Sequence, residues 1–282
     1  MRKRQKLTLG HSPDADDAFM FYALARGRVR AHPLAFEHVI ADIETLNRWA
    51  VEGRLDLTAL SAHAYTRASR HYLLLPAGGS FGEGYGPVVV ARGRRELFSL
   101  SGATVAVPGR MTTAALLLSL AAPGARPLEV PFEEVLDTVL SGRAEAGVLI
   151  HEGQLTYPSL GLHLVADLGQ WWKEETGHPL PLGLCAIRRE LDPGVMHLAA
   201  AAIKESVRWA LENEEEALEG AMAFARGLDR EQVRRFCLMY VNRYTLDMGE
   251  EGREALRTLY RRAAERGLIP SCDPEFFPPH RS

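Results

Sequence analysis

Leu55-Asp56-Leu57-Thr58-Ala59-Leu60-Ser61-Ala62-His63 (55–63) changes its pattern in the middle. The residues up to Leu60 read as a strand, and Ser61 then opens a helical stretch. The arrangement returns further along the chain. Ala103–Val107 reads as a strand, followed by Pro108-Gly109-Arg110-Met111-Thr112-Thr113-Ala114. Here Pro108 and Gly109 turn the chain, and Thr112 or Thr113 caps an apolar helix that runs to about Ala121. A strand that feeds a capped helix start is the repeating unit of an α/β fold. Its free backbone N–H groups sit at one edge of the sheet.

Outward from these two turns, short apolar runs alternate with helical segments. Leu7–Leu9, Phe36–Ile40, Leu55–Leu60 and Tyr72–Leu75 read as strands. Helices are expected from Ser12–Pro13 to about Arg26 and over Ile43–Glu52. A second set has strands at Ala103–Val107, Leu128–Val130 and Ala146–Ile150, with a helix at Glu133–Leu140. The alternation predicts parallel βαβ units. Leu184–Ile187 reads as one more strand. From Asp192 the pattern is helical, over Ala199–Glu212, Glu214–Ala225, Arg230–Tyr240 and Glu250–Arg266.

The layout predicts an α/β fold of two lobes joined by strands near Val88–Ala91 and Leu184–Ile187. The outer lobe takes 1–94 and 186–282, including the C-terminal helices, and the inner lobe takes 95–185. Two crossings make a hinge and leave a cleft between the lobes, a common place for a ligand.

Composition narrows the function. The 282 residues are 46% hydrophobic with a formal net charge of −3. That supports a sizeable core, and no basic stripe points to nucleic acid. The opening Met1-Arg2-Lys3-Arg4-Gln5-Lys6 is basic but is not followed by the apolar stretch of a signal peptide. No run reaches the roughly 20 apolar residues of a membrane helix. A cytoplasmic location without membrane partners is expected. Cys185, Cys237 and Cys272 are far apart and call for no disulfide. No phosphate-binding loop, zinc spacing or metalloprotease motif occurs.

Four features can carry chemistry. The two turns place Ser61, Ala62 and His63 in one lobe and Thr112, Thr113 and Ala114 in the other, each at a helix start suited to a carboxylate or phosphate. Ordinary capping explains either turn alone; one in each lobe points to an anion site shared across the cleft. His151 follows the strand Ala146–Ile150 and is a candidate general base. His11 and His63 also stand at strand ends, so position alone does not choose among the three. Asp14, Asp16 and Asp17 form a cluster that lacks the glycine and glutamate of a calcium loop. A solvated helix start is the expected reading, with one Asp turned toward the cleft. Gly82-Glu83-Gly84-Tyr85-Gly86 precedes a strand and reads as a loop before the hinge. Trp171 and Trp172 are expected to pack, the alternative being a cover for a flat ligand.

His11-Ser12-Pro13-Asp14-Ala15-Asp16-Asp17-Ala18-Phe19, Leu60-Ser61, Leu74–Ser80, Gly84–Ala91 and Leu149-Ile150-His151-Glu152-Gly153-Gln154 resemble the 1,4-dihydroxy-6-naphthoate synthases of the futalosine route to menaquinone. The opening motif of that family usually reads Ser-Pro-Cys-Pro-Asn-Asp-Thr-Phe. Here Asp-Ala-Asp replaces Cys-Pro-Asn at 14–16, and Asp17 keeps the family's Asp. The resemblance implies a periplasmic-binding-protein-like (type II) fold. It implies a lyase that splits cyclic dehypoxanthine futalosine, an aryl carboxylate, into 1,4-dihydroxy-6-naphthoate and dihydroxyacetone without a cofactor. It matches His151 to the base, and Ser61 with its neighbours, Thr113 and Ala114 to the ligand-holding segments. The competing readings are a solute-binding or ligand-sensing protein of the same fold, and the sibling enzyme chorismate dehydratase.

Overall fold

The computed structural model describes residues 5–277. Residues 1–4 and 278–282, which belong to the expected outer lobe, lie outside the described residues. The strands in chain order are β1 (Gln5–His11), β2 (Leu34–Ile40), β3 (Leu57–Ser61), β4 (Tyr72–Leu74), β5 (Ser80–Gly82), β6 (Val88–Ala91), β7 (Thr104–Val107), β8 (Arg126–Glu129), β9 (Ala146–Leu149), β10 (His163–Asp167) and β11 (Leu180–Arg188).

They form two sheets. The first has the order β2-β1-β3-β11-β4, with β5 also paired to β11, and the second has the order β10-β6-β9-β7-β8. β1 runs parallel to β2 and β3, and β7 runs parallel to β8 and β9. These are the expected βαβ units. Every residue of β3 and β9 is buried, as befits central strands covered on both faces.

The crossing strands depart from expectation. β6, read from sequence as a strand joining the lobes and counted with the outer one, pairs between β10 and β9 in the second sheet, antiparallel to both. The whole of β11 pairs with β3, β4 and β5 in the first sheet, again antiparallel. Sheet membership therefore moves the changeovers from 94/95 and 185/186 to 83–87 and 168–179. The cause is the direction of approach. Chain arriving from the other lobe meets a sheet at the cleft edge, where the parallel strands end, so it runs back against them.

At the changeovers the two passages touch. Leu168 N–H donates to the Pro87 carbonyl at 2.9 Å. A Cβ on Gly169 would lie 2.0 Å from the Tyr85 carbonyl oxygen, and one on Gly86 would lie 3.0 Å from the Gly169 backbone. Only two glycines permit this approach. The Asp167 carboxylate caps the helix Leu168–Thr176 by accepting from Gly169 and Gln170 N–H. Trp172 on this helix is fully buried and donates to the Pro179 carbonyl at 3.1 Å, so it is a core side chain.

The first helix begins at Ala15, with Asp14 instead of Ser12 in the N-cap position and no side-chain capping bond, and breaks at Phe21 before Tyr22–Ala25. The long helix Pro193–Glu212 starts earlier than Ala199, because Asp192 accepts from Gly194 and Val195 N–H and Pro193 takes the first helical position. Helices Glu214–Ala221 and Arg230–Tyr240 then pack on Ala15–Met20, beside the cleft. Among the described residues no helix is long and apolar enough to cross a membrane.

Gly169→Ala should lower stability by about 1–3 kcal/mol, since the methyl meets backbone that cannot yield without separating the passages. Thermal unfolding checks this, and an unchanged midpoint would remove the contact from the account.

Candidate functional site

Between the sheets lies a cavity that leaves about 110 Å³ open to the centres of water molecules. Its wall takes Ser12, Asp14, Asp16 and Asp17 from the segment after β1, Ala59–Ser61 from β3 and Leu182–Leu184 from β11. The second lobe contributes Thr112–Ala114, Ile150 and Gln154, and the helix Arg230–Tyr240 contributes Tyr240. The two strand-to-helix turns therefore meet in one cavity.

Their donors differ from those expected. Asn47, fully buried, accepts from Ser61 N–H at 2.8 Å and donates through Nδ2 to Ser61 Oγ at 3.0 Å. The Ser61 hydroxyl makes no capping bond, so its proton can serve a ligand. Both threonine hydroxyls are committed. Thr112 Oγ1 donates to the Gly109 carbonyl and accepts from Ala115 N–H. Thr113 Oγ1 donates to the Leu182 carbonyl at 2.6 Å and accepts from His63 N–H at 3.3 Å. What remains for an anion is the backbone N–H of Thr113 and Ala114, in the first turn of Thr113–Ala121, together with the Ser61 O–H. Ala62 and His63 are buried but lie outside the cavity wall. His63 instead turns Nδ1 toward the Thr112 carbonyl at 3.3 Å.

These contacts cross the cleft, and others join them. Met111 N–H donates to Glu44 Oε2 at 3.1 Å, and Arg48 pairs with Glu129 at 2.8 Å. On the other side Arg226 Nη1 lies 2.7 Å from both Asp14 Oδ1 and Glu152 Oε2, and its Nη2 donates to the Pro13 carbonyl. Its guanidinium sits 4.8 Å over the Phe132 ring. Arg226 holds φ at +46°, a left-handed conformation that costs a non-glycine residue strain. The lobes are drawn together at both rims.

His151 follows β9 as expected, but its ring faces backbone. Nδ1 accepts from Gly153 N–H at 2.9 Å, and Nε2 lies 3.2 Å from the Phe132 carbonyl. A neutral ring with its proton on Nε2 satisfies both. The ring is buried and absent from the cavity wall, whereas Ile150 and Gln154 on either side reach it. His11 faces away and contacts His38, with Nε2 to Nδ1 at 3.0 Å. Burial lowers the pKa of His11 and pushes His38 down to about 4.

The acid cluster is not a solvated helix start. Asp16 and Asp17 are both buried in the cavity wall. Asp17 accepts from Ser12 N–H at 2.6 Å, and Asp14 pairs with Arg226. Burial, with Asp17, Asp14 and Glu152 nearby, pushes the Asp16 carboxyl well above the usual carboxylate range. Burial also pushes Asp17 up to about 7. Among the described residues no group of three or more His, Cys, Asp or Glu is arranged to hold a metal ion. Sequence reading singled out neither Gln154 nor Tyr240. Tyr240 O–H donates to Gln154 Oε1 at 2.9 Å, and the buried Gln154 Nε2 has no partner.

Two predictions follow from this wall. Asn47→Ala leaves Ser61 N–H buried without a partner and should lower stability by about 1–3 kcal/mol, measured by chemical unfolding. The second concerns pH. Up to about pH 7 the folded chain keeps a proton on Asp17 that the unfolded chain has lost, and the raised Asp16 acts in the same direction, so their contribution to stability falls as pH rises. Asp17→Asn should flatten the decline in melting temperature between pH 5 and pH 8; a decline as steep as the wild type's would put the titrating proton elsewhere.

Comparison with known proteins adds the relatives. Residues 7–265 match the family model described as "Menaquinone biosynthesis". The chain is 49% identical over 273 residues to the 1,4-dihydroxy-6-naphtoate synthase of Thermus thermophilus, covering 96% of this chain and 99% of that one. It is 38% identical over 275 residues to the enzyme of the same name from Streptomyces coelicolor, covering 95% and 96%. A crystal structure of an Archaeoglobus fulgidus protein superposes with a TM-score of 0.90 at 52% identity, covering 94% of this chain and 98% of that one. The alkanesulfonate-binding protein SsuA of Xanthomonas axonopodis pv. citri, bound to MOPS, superposes with a TM-score of 0.71 at 12% identity, covering 96% of each chain. That likeness concerns the fold alone, which is the periplasmic-binding-protein-like architecture. With its match running through both lobes, the chain belongs to the menaquinone biosynthesis family.

Proposed function

We propose that the protein is a carbon–carbon lyase that converts cyclic dehypoxanthine futalosine to 1,4-dihydroxy-6-naphthoate and dihydroxyacetone. The observation that carries this reading is the shared cavity. Ser61 from one lobe and the Thr113–Ala114 backbone from the other open into it beside proton-bearing side chains. Near-full-length similarity to proteins named 1,4-dihydroxy-6-naphtoate synthase supports the choice of product.

The aryl carboxylate suits the Ser61 hydroxyl and the N–H groups at the start of Thr113–Ala121, where the helix dipole favours negative charge. The ligand's ketone makes the adjacent C–H acidic. In this mechanism His151 removes that proton and the electron pair enters the carbonyl as an enolate; the enolate reforms the ketone as the bonding pair of the bond to the three-carbon fragment leaves with that fragment, which takes the proton back from His151. Aromatisation of the remaining ring drives the cleavage. A positioned general base is typically worth about 10²–10⁴-fold in rate. The role requires the His151 ring to leave Gly153 N–H and turn toward Ile150 and Gln154, which already reach the cavity.

The same observation favours a second reading, a binding protein for a small anion, because both ring nitrogens of His151 are occupied by backbone. Turnover separates the two. Purified protein supplied with cyclic dehypoxanthine futalosine should yield the naphthoate and dihydroxyacetone by mass spectrometry. Binding without conversion would favour the carrier. His151→Ala should fold and bind the ligand yet lose turnover by about 10²-fold or more; turnover at the wild-type rate would remove His151 from the role.

A further inference from the structure

Two polar groups in the cavity wall have no role in holding an anion. Gln154 is more than nine-tenths buried, and its Nε2 has no hydrogen-bond partner. Oε1 accepts from Tyr240 O–H, which leaves the amide N–H groups as donors. Asp16 is nine-tenths buried in the same wall. It comes from the helix after β1, whereas Gln154 comes from the helix after β9, so the lobes contribute one each.

A carboxylate on the ligand would not choose this wall, where Asp14, Asp17 and Glu152 gather. A neutral oxygen acceptor suits it. We propose that Asp16 and Gln154 form a seat for an uncharged carbonyl oxygen of the ligand, each donating one hydrogen bond to it. The seat rests on the reading of the ligand as a keto aryl carboxylate and assigns the ketone its place. The same two donors then face the oxygen on which enolate charge develops, where fixed donors act most strongly.

Asp16 donates only while it carries its proton. The groups that face it are Asp14 and Asp17 on its own segment, Glu152 beside Gln154, and Tyr240 and Cys237 on the helix Arg230–Tyr240. Arg226, the nearby cation, is held by Asp14 and Glu152. Burial and the acidic neighbours therefore keep the Asp16 carboxyl neutral. Donation should weaken as pH rises and the proton is lost.

Calorimetric titration with 3-acetylbenzoate and benzoate tests the seat without turnover. Wild-type protein should prefer the ketone by about tenfold, the worth of a good hydrogen bond. Gln154→Leu and Asp16→Ala should bring the ratio of the two affinities to about one. Asp16→Asn keeps a neutral donor, so its preference should persist and should not decline with rising pH as the wild type's does. Equal affinities in the wild type, no binding of 3-acetylbenzoate, or a preference that survives both Gln154→Leu and Asp16→Ala would overturn the seat. Its failure is distinguishable from failure of the lyase. Ketone preference without naphthoate formation removes only the lyase, and naphthoate formation without ketone preference removes only the seat.

Discussion

The chain passes between its two sheets twice, and the passages lie backbone against backbone at Gly86 and Gly169. Everything else in the cleft depends on that contact. It leaves the lobes a narrow connection, with Pro87 and Leu168 bonded across it. It also fixes the direction in which β6 and β11 enter their sheets. With those strands antiparallel, the parallel strands β1, β3, β7 and β9 all end at the cleft. Their following turns then converge on one cavity.

The convergence sets an electrostatic problem, since acidic side chains crowd one wall of a cavity proposed to hold an anion on its opposite side. The fold answers it by pairing or neutralising each one. Asp14 and Glu152 share Arg226, Asp17 takes the Ser12 N–H, and Asp16 keeps its proton. On the opposite turns, backbone N–H groups and one serine hydroxyl remain unopposed by negative charge. One cavity can therefore offer a seat for a carboxylate and a separate seat for a neutral oxygen.

Much of this was legible where the signals are local. Capping residues and changes of period placed Ser61 and Thr112 at helix starts, and the alternation gave the two-lobe layout. The direction of β6 and β11 was not legible, because it depends on the edge at which the chain arrives. His163–Asp167 carries no strand signal because none of its five residues is buried and its apolar run is short. The commitment of Thr113 Oγ1 to Leu182 and the pairing of Gln154 with Tyr240 join segments far apart in sequence. Asp16 was misread for the same reason. An Asp at a helix start is ordinarily wet, and only helices 214–221 and 230–240, packed over it, make it dry. His151 stood where its strand end put it, but a choice of rotamer, made by Gly153 N–H, turned its ring aside.

The Arg226 bridge has a further meaning for how a ligand is judged. Arg226 grips Asp14, two residues before Asp16, and Glu152, two residues before Gln154. One of the bonds that hold the lobes together thus also brings the two carbonyl donors into one wall. An open molecule holds half of that seat on each lobe and has no means of testing for a ketone. Recognition and the exclusion of water become a single event, so a molecule with the right carboxylate and the wrong far end gains nothing from closure and departs.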